Sequence, residues 1–79
     1  MEKSTAFGIT IRNLRKSLDI TQEKLANLSN LDRTYISLIE RGLRQPSLST
    51  IFIIAESLSK TPSELIKLVE EILNENSAD

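Results

Sequence analysis

At 79 residues the chain has room for one domain and only a modest core, so association with a second copy would help to keep it folded. It contains no Cys and no His, which removes disulfides, thiolate metal sites and the usual acid–base groups; no metal, no cofactor and no enzymatic chemistry is expected. A net charge of −1 with 39% hydrophobic and 27% charged residues is ordinary for a globular protein, and there is neither an apolar run of about 18 residues nor a signal peptide, so a cytoplasmic protein without a membrane partner is expected.

The pattern predicts an all-α fold of five helices in one domain spanning residues 1–79. Phe7, Ile11, Leu14 and Leu18 recur at helical spacing and predict a first helix over residues 5–18. Thr21 can cap a second helix through its hydroxyl, with Leu25 and Ala26 as its inner face and Leu28 extending it. Ser29, Asn30 and Leu31 form a tight turn, and Asn is the non-glycine residue that best tolerates a left-handed conformation. Asp32 can cap a third helix, on which Ile36 and Ile39 face inward and which Gly42 can end. Residues 43–46 read as a loop, because Pro46 disfavours helix in the residue before it. Ser47 can cap a fourth helix with Leu48, Ile51, Ile54, Ala55 and Leu58 as its inner stripe. Thr61, Pro62 and Glu64 make the clearest helix start, a capping box with Pro at the first helical position. The fifth helix is expected to reach about residue 74, and the polar tail, residues 74–79, to fray.

Charge is divided along the chain. Residues 1–44 hold eight basic residues against five acidic, whereas residues 45–79 hold two against six. A basic N-terminal part suits phosphate, and the acidic remainder suits solvent or a partner. The second and third helices, about residues 21–42, leave Arg33, Thr34 and Ser37 pointing outward. That is the arrangement by which a helix-turn-helix lays its second helix in the DNA major groove. Arg33 can donate two hydrogen bonds to a guanine edge, and the short hydroxyls of Thr34 and Ser37 can approach bases or phosphates closely. Tyr35 can pack its ring between helices while its hydroxyl reaches a phosphate. The alternatives are ordinary solvated surface for Thr34 and Ser37, a solvated Arg33 or one paired with Asp32, and for Tyr35 a core aromatic with a wet tip. Gln22 opens the second helix, where free N–H groups form an anion site. Glu40 falls on the inner side of the third helix, where a lone carboxylate is costly to bury.

The spacing of Gln22, Ala26, Asn30, Ile36 and Ile39 within TQEKLA…LDRTYISLIERG resembles the helix-turn-helix of the phage repressor and Cro family. FGITIRNLRKSLDIT and PSLSTIFIIAESL resemble its first and fourth helices, so the likeness covers roughly residues 7–66. Within the family, LDRTYISLIERGLRQPSL is most similar to the controller proteins of restriction-modification systems. The resemblance implies that Gln22 bonds a DNA phosphate and that Arg44, with Gln45 beside it, contacts the backbone or the minor groove. It also implies that Arg15 pairs with Glu40 to hold the first helix on the third. Asp19 stands where the family usually has Gly, which predicts a slightly strained end to the first helix. Lys60 occupies a position that is usually apolar.

Phe52 and Ile53 widen the apolar face of the fourth helix beyond one small core. The fifth helix, about residues 61–74, is apolar on nearly all sides through Ile66, Val69, Ile72 and Leu73 as well as Leu65 and Leu68. Such a helix must be covered twice, most simply by a second subunit. The sequence therefore reads as a homodimeric, sequence-specific regulator of transcription that binds a pseudo-palindromic double-stranded DNA operator. All five helices are used, so no small-molecule effector is expected. The alternatives are an antitoxin-type or phage-type repressor, which neighbouring genes would separate, and a helical protein–protein adaptor, which Arg, Thr and Ser at positions 33, 34 and 37 disfavour.

Overall fold

A computed structural model describes residues 1–76 of the chain. Among the described residues there are five helices: α1 (Lys3–Ser17), α2 (Gln22–Ser29), α3 (Arg33–Glu40), α4 (Leu48–Ser57) and α5 (Pro62–Asn76). Four of them begin on the side chains read from the sequence. Thr21 accepts from the Lys24 N–H at 3.0 Å, Asp32 from Thr34 at 2.9 Å and Ser47 from Thr50 at 3.1 Å. Thr61 and Glu64 close a reciprocal box, with the Thr61 N–H donating to Glu64 at 2.7 Å and the Glu64 N–H to Thr61 at 3.1 Å. Each satisfies donors that a helix N-terminus otherwise leaves open. The α1 helix starts two residues before the expected position and has no side-chain cap on Glu2. The α5 helix runs through Asn74, Glu75 and Asn76, which were expected to fray; Ser77, Ala78 and Asp79 lie outside the described residues.

The first four helices end in the same way. A left-handed residue, Asp19, Asn30, Gly42 or Ser59, turns the chain. The next N–H then reaches back five residues: Ile20 to Arg15, Leu31 to Ala26, Leu43 to Leu38 and Lys60 to Ala55. This closure satisfies the last carbonyls, and an apolar residue usually follows the turn to pack on the helix. Ile20 and Leu31 do pack against the core. Three of the four left-handed residues are not Gly, and each adopts a conformation that disfavours a Cβ.

The helices enclose one core, with Ile11, Leu25, Ile36, Ile39, Ile54, Leu58 and Leu65 at its centre. Packing of α1 on both α3 and α5 unites the two halves of the chain. The approach of α1 to α3 depends on Gly8, which the sequence reading passed over. A Cβ there would collide with the carbonyl oxygens of Ile39 and Glu40, the latter at 2.6 Å. A second unread tie joins α2 to α4: the buried Ser29 hydroxyl donates to Ser57 at 2.9 Å, and Ser57 donates to the Ile53 carbonyl at 3.0 Å.

Three expected inner positions lie outside. Leu18, Leu28 and Leu48 are 45%, 51% and 72% exposed. Helical spacing points each toward the core, but each sits at a helix end: Leu18 caps the C-terminus of α1, Leu28 is in the last turn of α2 and Leu48 opens α4.

Candidate nucleic-acid interface

The N-terminal turns of α2 and α3 meet on one side of the molecule. Gln22, Arg33, Thr34 and Ser37 line an open hollow of about 170 Å3. Gln22 and Arg33 also line an adjoining hollow of about 400 Å3 with Arg15, Thr21 and Glu23. The tight turn at Asn30 brings these two helix starts together. Arg33 and Thr34 are exposed, while Gln22 and Ser37 are half-buried. The Asp32 carboxylate is engaged with the Thr34 N–H, and among the described residues no ion pair ties Arg33 to it. The Arg33 guanidinium is therefore available at this surface.

Behind the hollow lies a buried polar hub centred on Glu40. Its side chain has no exposed surface, and that of Arg15 is 11% exposed. Arg15 donates from Nε to Oε2 at 2.7 Å and from Nη2 to Oε1 at 3.0 Å, a two-pronged contact that matches the planar guanidinium to the carboxylate. Its remaining arm donates to the Ile20 carbonyl at 2.9 Å, so one side chain ties α1, α3 and the turn before α2. Arg12 adds a more distant charge, 3.7 Å from Oε1. Burial alone would raise the Glu40 pKa; the hydrogen bonds from Arg15 and Gln22 and the charges of Arg15 and Arg12 outweigh it and hold the carboxyl below its ordinary 4.5. Arg15 is held above its ordinary value chiefly by the bond to Glu40.

Gln22 belongs to both the hub and the surface. Its Nε2 donates to Glu40 Oε1 at 3.0 Å. An ionised carboxylate can only accept, so the amide nitrogen must face inward. One amide N–H and the amide oxygen remain for the surface. The sequence reading treated Gln22 only as a surface group and missed this inward bond.

Arg44 stands in the loop after α3 with its guanidinium carbon 5.6 Å from the centre of the Tyr35 ring. Gln45 is placed apart from the other polar candidates. It lines a hollow with residues 1–4 at the start of α1, away from the Gln22–Arg33 surface.

The apolar candidates form a separate region. Phe52, Ile53 and Ile66 are 54%, 42% and 39% exposed. Ile72 and Leu73 are partly buried against the core. Val69, expected among them, is instead a core residue. The packing of α1 on α5 covers it, so the uncovered face of α5 is narrower than the sequence implied. The exposed Leu48 lies one turn before Phe52 and extends the α4 face in its place.

The fold and this surface define a helix-turn-helix protein, and the helix-turn-helix family model matches residues 11–65. The control protein C.BamHI of Bacillus amyloliquefaciens is 46% identical over 61 residues, covering 76% of this chain and 75% of that protein. The crystal structure of the restriction-modification controller protein C.AhdI from Aeromonas hydrophila matches with a TM-score of 0.76 and 44% identity, over 78% of this chain and 94% of the other. The controller protein C.Esp1396I, crystallised as a tetramer in complex with its natural 35 base-pair operator, matches with a TM-score of 0.83 and 35% identity, over 92% of this chain and 97% of the other. The chain belongs to this helix-turn-helix family, within its group of restriction-modification controller proteins.

Proposed function

We propose that the protein is a cytoplasmic transcriptional regulator that binds a pseudo-palindromic DNA operator as a homodimer and controls the genes of a restriction-modification system. The observation that carries the reading is the shared surface of Gln22, Arg33, Thr34 and Ser37 at the start of the two motif helices. A helix presented in this way enters the major groove by its N-terminal half, and two copies would sit roughly 34 Å apart on successive grooves. Arg33 is the base-reading residue in this account, with Thr34 and Ser37 beside it. Gln22 is the phosphate contact, held at a fixed angle by Glu40. Arg44 and Tyr35 serve the DNA backbone or minor groove, and Gln45 stands apart from them beside the start of α1. The role is regulatory rather than enzymatic, since the one buried carboxylate among the described residues is already saturated by Arg15 and Gln22.

The test is a gel-shift titration on duplex DNA from upstream of the protein's own gene and on a scrambled duplex. Arg33→Ala is expected to cost about 1–3 kcal/mol on the first and to relax preference at one base pair per half-site. Gln22→Ala is expected to weaken binding to both duplexes alike, because phosphate contacts position the protein without specifying sequence. An equal loss on both duplexes for Arg33→Ala would contradict its assignment as the base reader.

A further inference from the structure

We propose that the ring of Tyr35, rather than its hydroxyl, serves DNA binding: it is the platform that holds the Arg44 guanidinium ready for the duplex. The inference rests on the DNA-binding reading above, and assigns Tyr35 as a positioning residue acting through Arg44.

The loop between α3 and α4 is pinned at both ends. At its start Gly42 adopts φ +73°, and a Cβ there would stand 3.0 Å from the Thr5 backbone. The Gly42 N–H bonds Ile39 at 3.0 Å and the Leu43 N–H bonds Leu38 at 2.9 Å. At its end Pro46 is half-buried and Ser47 caps α4. Arg44 lies between these anchors, exposed and, among the described residues, without a carboxylate partner. A long cationic side chain in such a place would ordinarily wander through its rotamers. The Tyr35 ring, half-buried and packed against the core, gives it a fixed surface. The 5.6 Å separation lies within the range at which a cation is attracted to an aromatic face.

The chemistry of the restraint matters. A carboxylate partner would hold Arg44 but would consume its N–H donors and cancel its charge. An aromatic ring holds the cation while leaving its charge intact, and it occupies none of the five N–H groups as a conventional acceptor would. The guanidinium is thus oriented without being neutralised, and it can meet phosphate or the minor groove with less ordering cost on binding.

This chain has one Tyr and no Trp, so the stack can be isolated cleanly. In the free protein, the Arg44 side-chain proton resonances should be shifted upfield by the ring. The shift should persist in Tyr35→Phe and vanish in Tyr35→Leu, with Tyr35→Met as the substitute if Leu disturbs the fold. On operator DNA, Tyr35→Leu should weaken binding about twofold to fivefold, the size expected for an exposed cation–aromatic contact. The same change should cost nothing in an Arg44→Ala background, and Tyr35→Phe should cost nothing in either. An absent ring shift in the wild type overturns the proposal. So does a Tyr35→Phe loss equal to that of Tyr35→Leu, which would make the hydroxyl the contact, and so does an undiminished Tyr35→Leu loss without Arg44. If the wild type showed no preference for operator DNA, the DNA-binding reading would fail while the resonance shift still decided the stack.

Discussion

The two ends of the molecule use burial for opposite purposes. Around α2 and α3 a polar network is buried so that donors can be aimed outward. Glu40 is sunk beneath the surface, Arg15 compensates it, and Gln22 carries its orientation to the exterior. No buried side-chain polar atom among the described residues lacks a partner. Around α4 and α5 the polar contacts are local, the caps at Ser47 and Thr61 and the Ser57 tie to Ser29, and it is apolar side chains that remain uncovered: Leu48, Phe52, Ile53 and Ile66. The first surface suits a charged, hydrogen-bonding ligand. The second suits a partner that removes apolar area from water, at about 1.5–3 kcal/mol per fully buried large side chain. Two-fold symmetry repeats every such contact.

Breaking the polar hub should have the largest effect. Arg15→Met or Glu40→Gln alone leaves a buried group uncompensated and is expected to cost about 3–5 kcal/mol. The double mutant should lose less than the sum of the two, because the residues share one interaction. Thermal melts of the three variants would show it, and additive losses would mean that the pair is not coupled. Acid probes the same hub. With its folded pKa below the ordinary 4.5, Glu40 contributes stability that is fully present above that value and lost as pH falls through the folded value. Glu64 acts in the same direction, its carboxyl lowered by the Thr61 backbone N–H and hydroxyl. Melting temperature should therefore fall steeply below about pH 4.5 in the wild type and less steeply in the double mutant.

The apolar end can be sharpened by a pair of charges on neighbouring helices. Val69→Glu puts a carboxylate into the core and should unfold the chain, since an unpaired buried charge is not tolerated. Phe52→Glu alters an exposed position and should leave the helices intact while abolishing association. Circular dichroism with sedimentation separates the two outcomes. A folded, dimeric Phe52→Glu would place the contact elsewhere.

The smallest expected effect concerns the turns common to both ends. Asp19→Gly and Ser59→Gly relieve left-handed residues and should each change stability by no more than about 0.5–1 kcal/mol, in the stabilising direction. Urea titrations would detect gains of that size. Destabilisation would show that the native side chains contribute more than the backbone strain costs.

What was legible in the sequence follows the range of the interactions. The four side-chain caps and the turns at Asn30 and Gly42 are written in neighbouring residues, and the structure has them where the sequence placed them; the left-handed turn at Asp19 was reached through family resemblance. The pairing of Arg15 with Glu40 spans 25 positions, and it was reached only through family resemblance. Ser59 gave no signal, because Ser does not advertise a left-handed turn as Gly or Asn does. Gly8 was invisible for another reason: its need arises from carbonyls of α3 that meet it only after folding. Periodicity placed Leu28, Leu48 and Val69 correctly on helices, but which face a neighbour covers is a tertiary fact. The candidate interface was read as separate outward residues. The sequence did not show that Gln22 is tethered from behind or that Arg44 lies over Tyr35.

Sedimentation of the wild-type protein, alone and with operator duplex, tests whether the polar end depends on the apolar end to pair two copies. A dimer is expected at tens of micromolar in the free protein, and at least two chains per operator. A chain that stays monomeric at that concentration and forms no larger species on the DNA would contradict it.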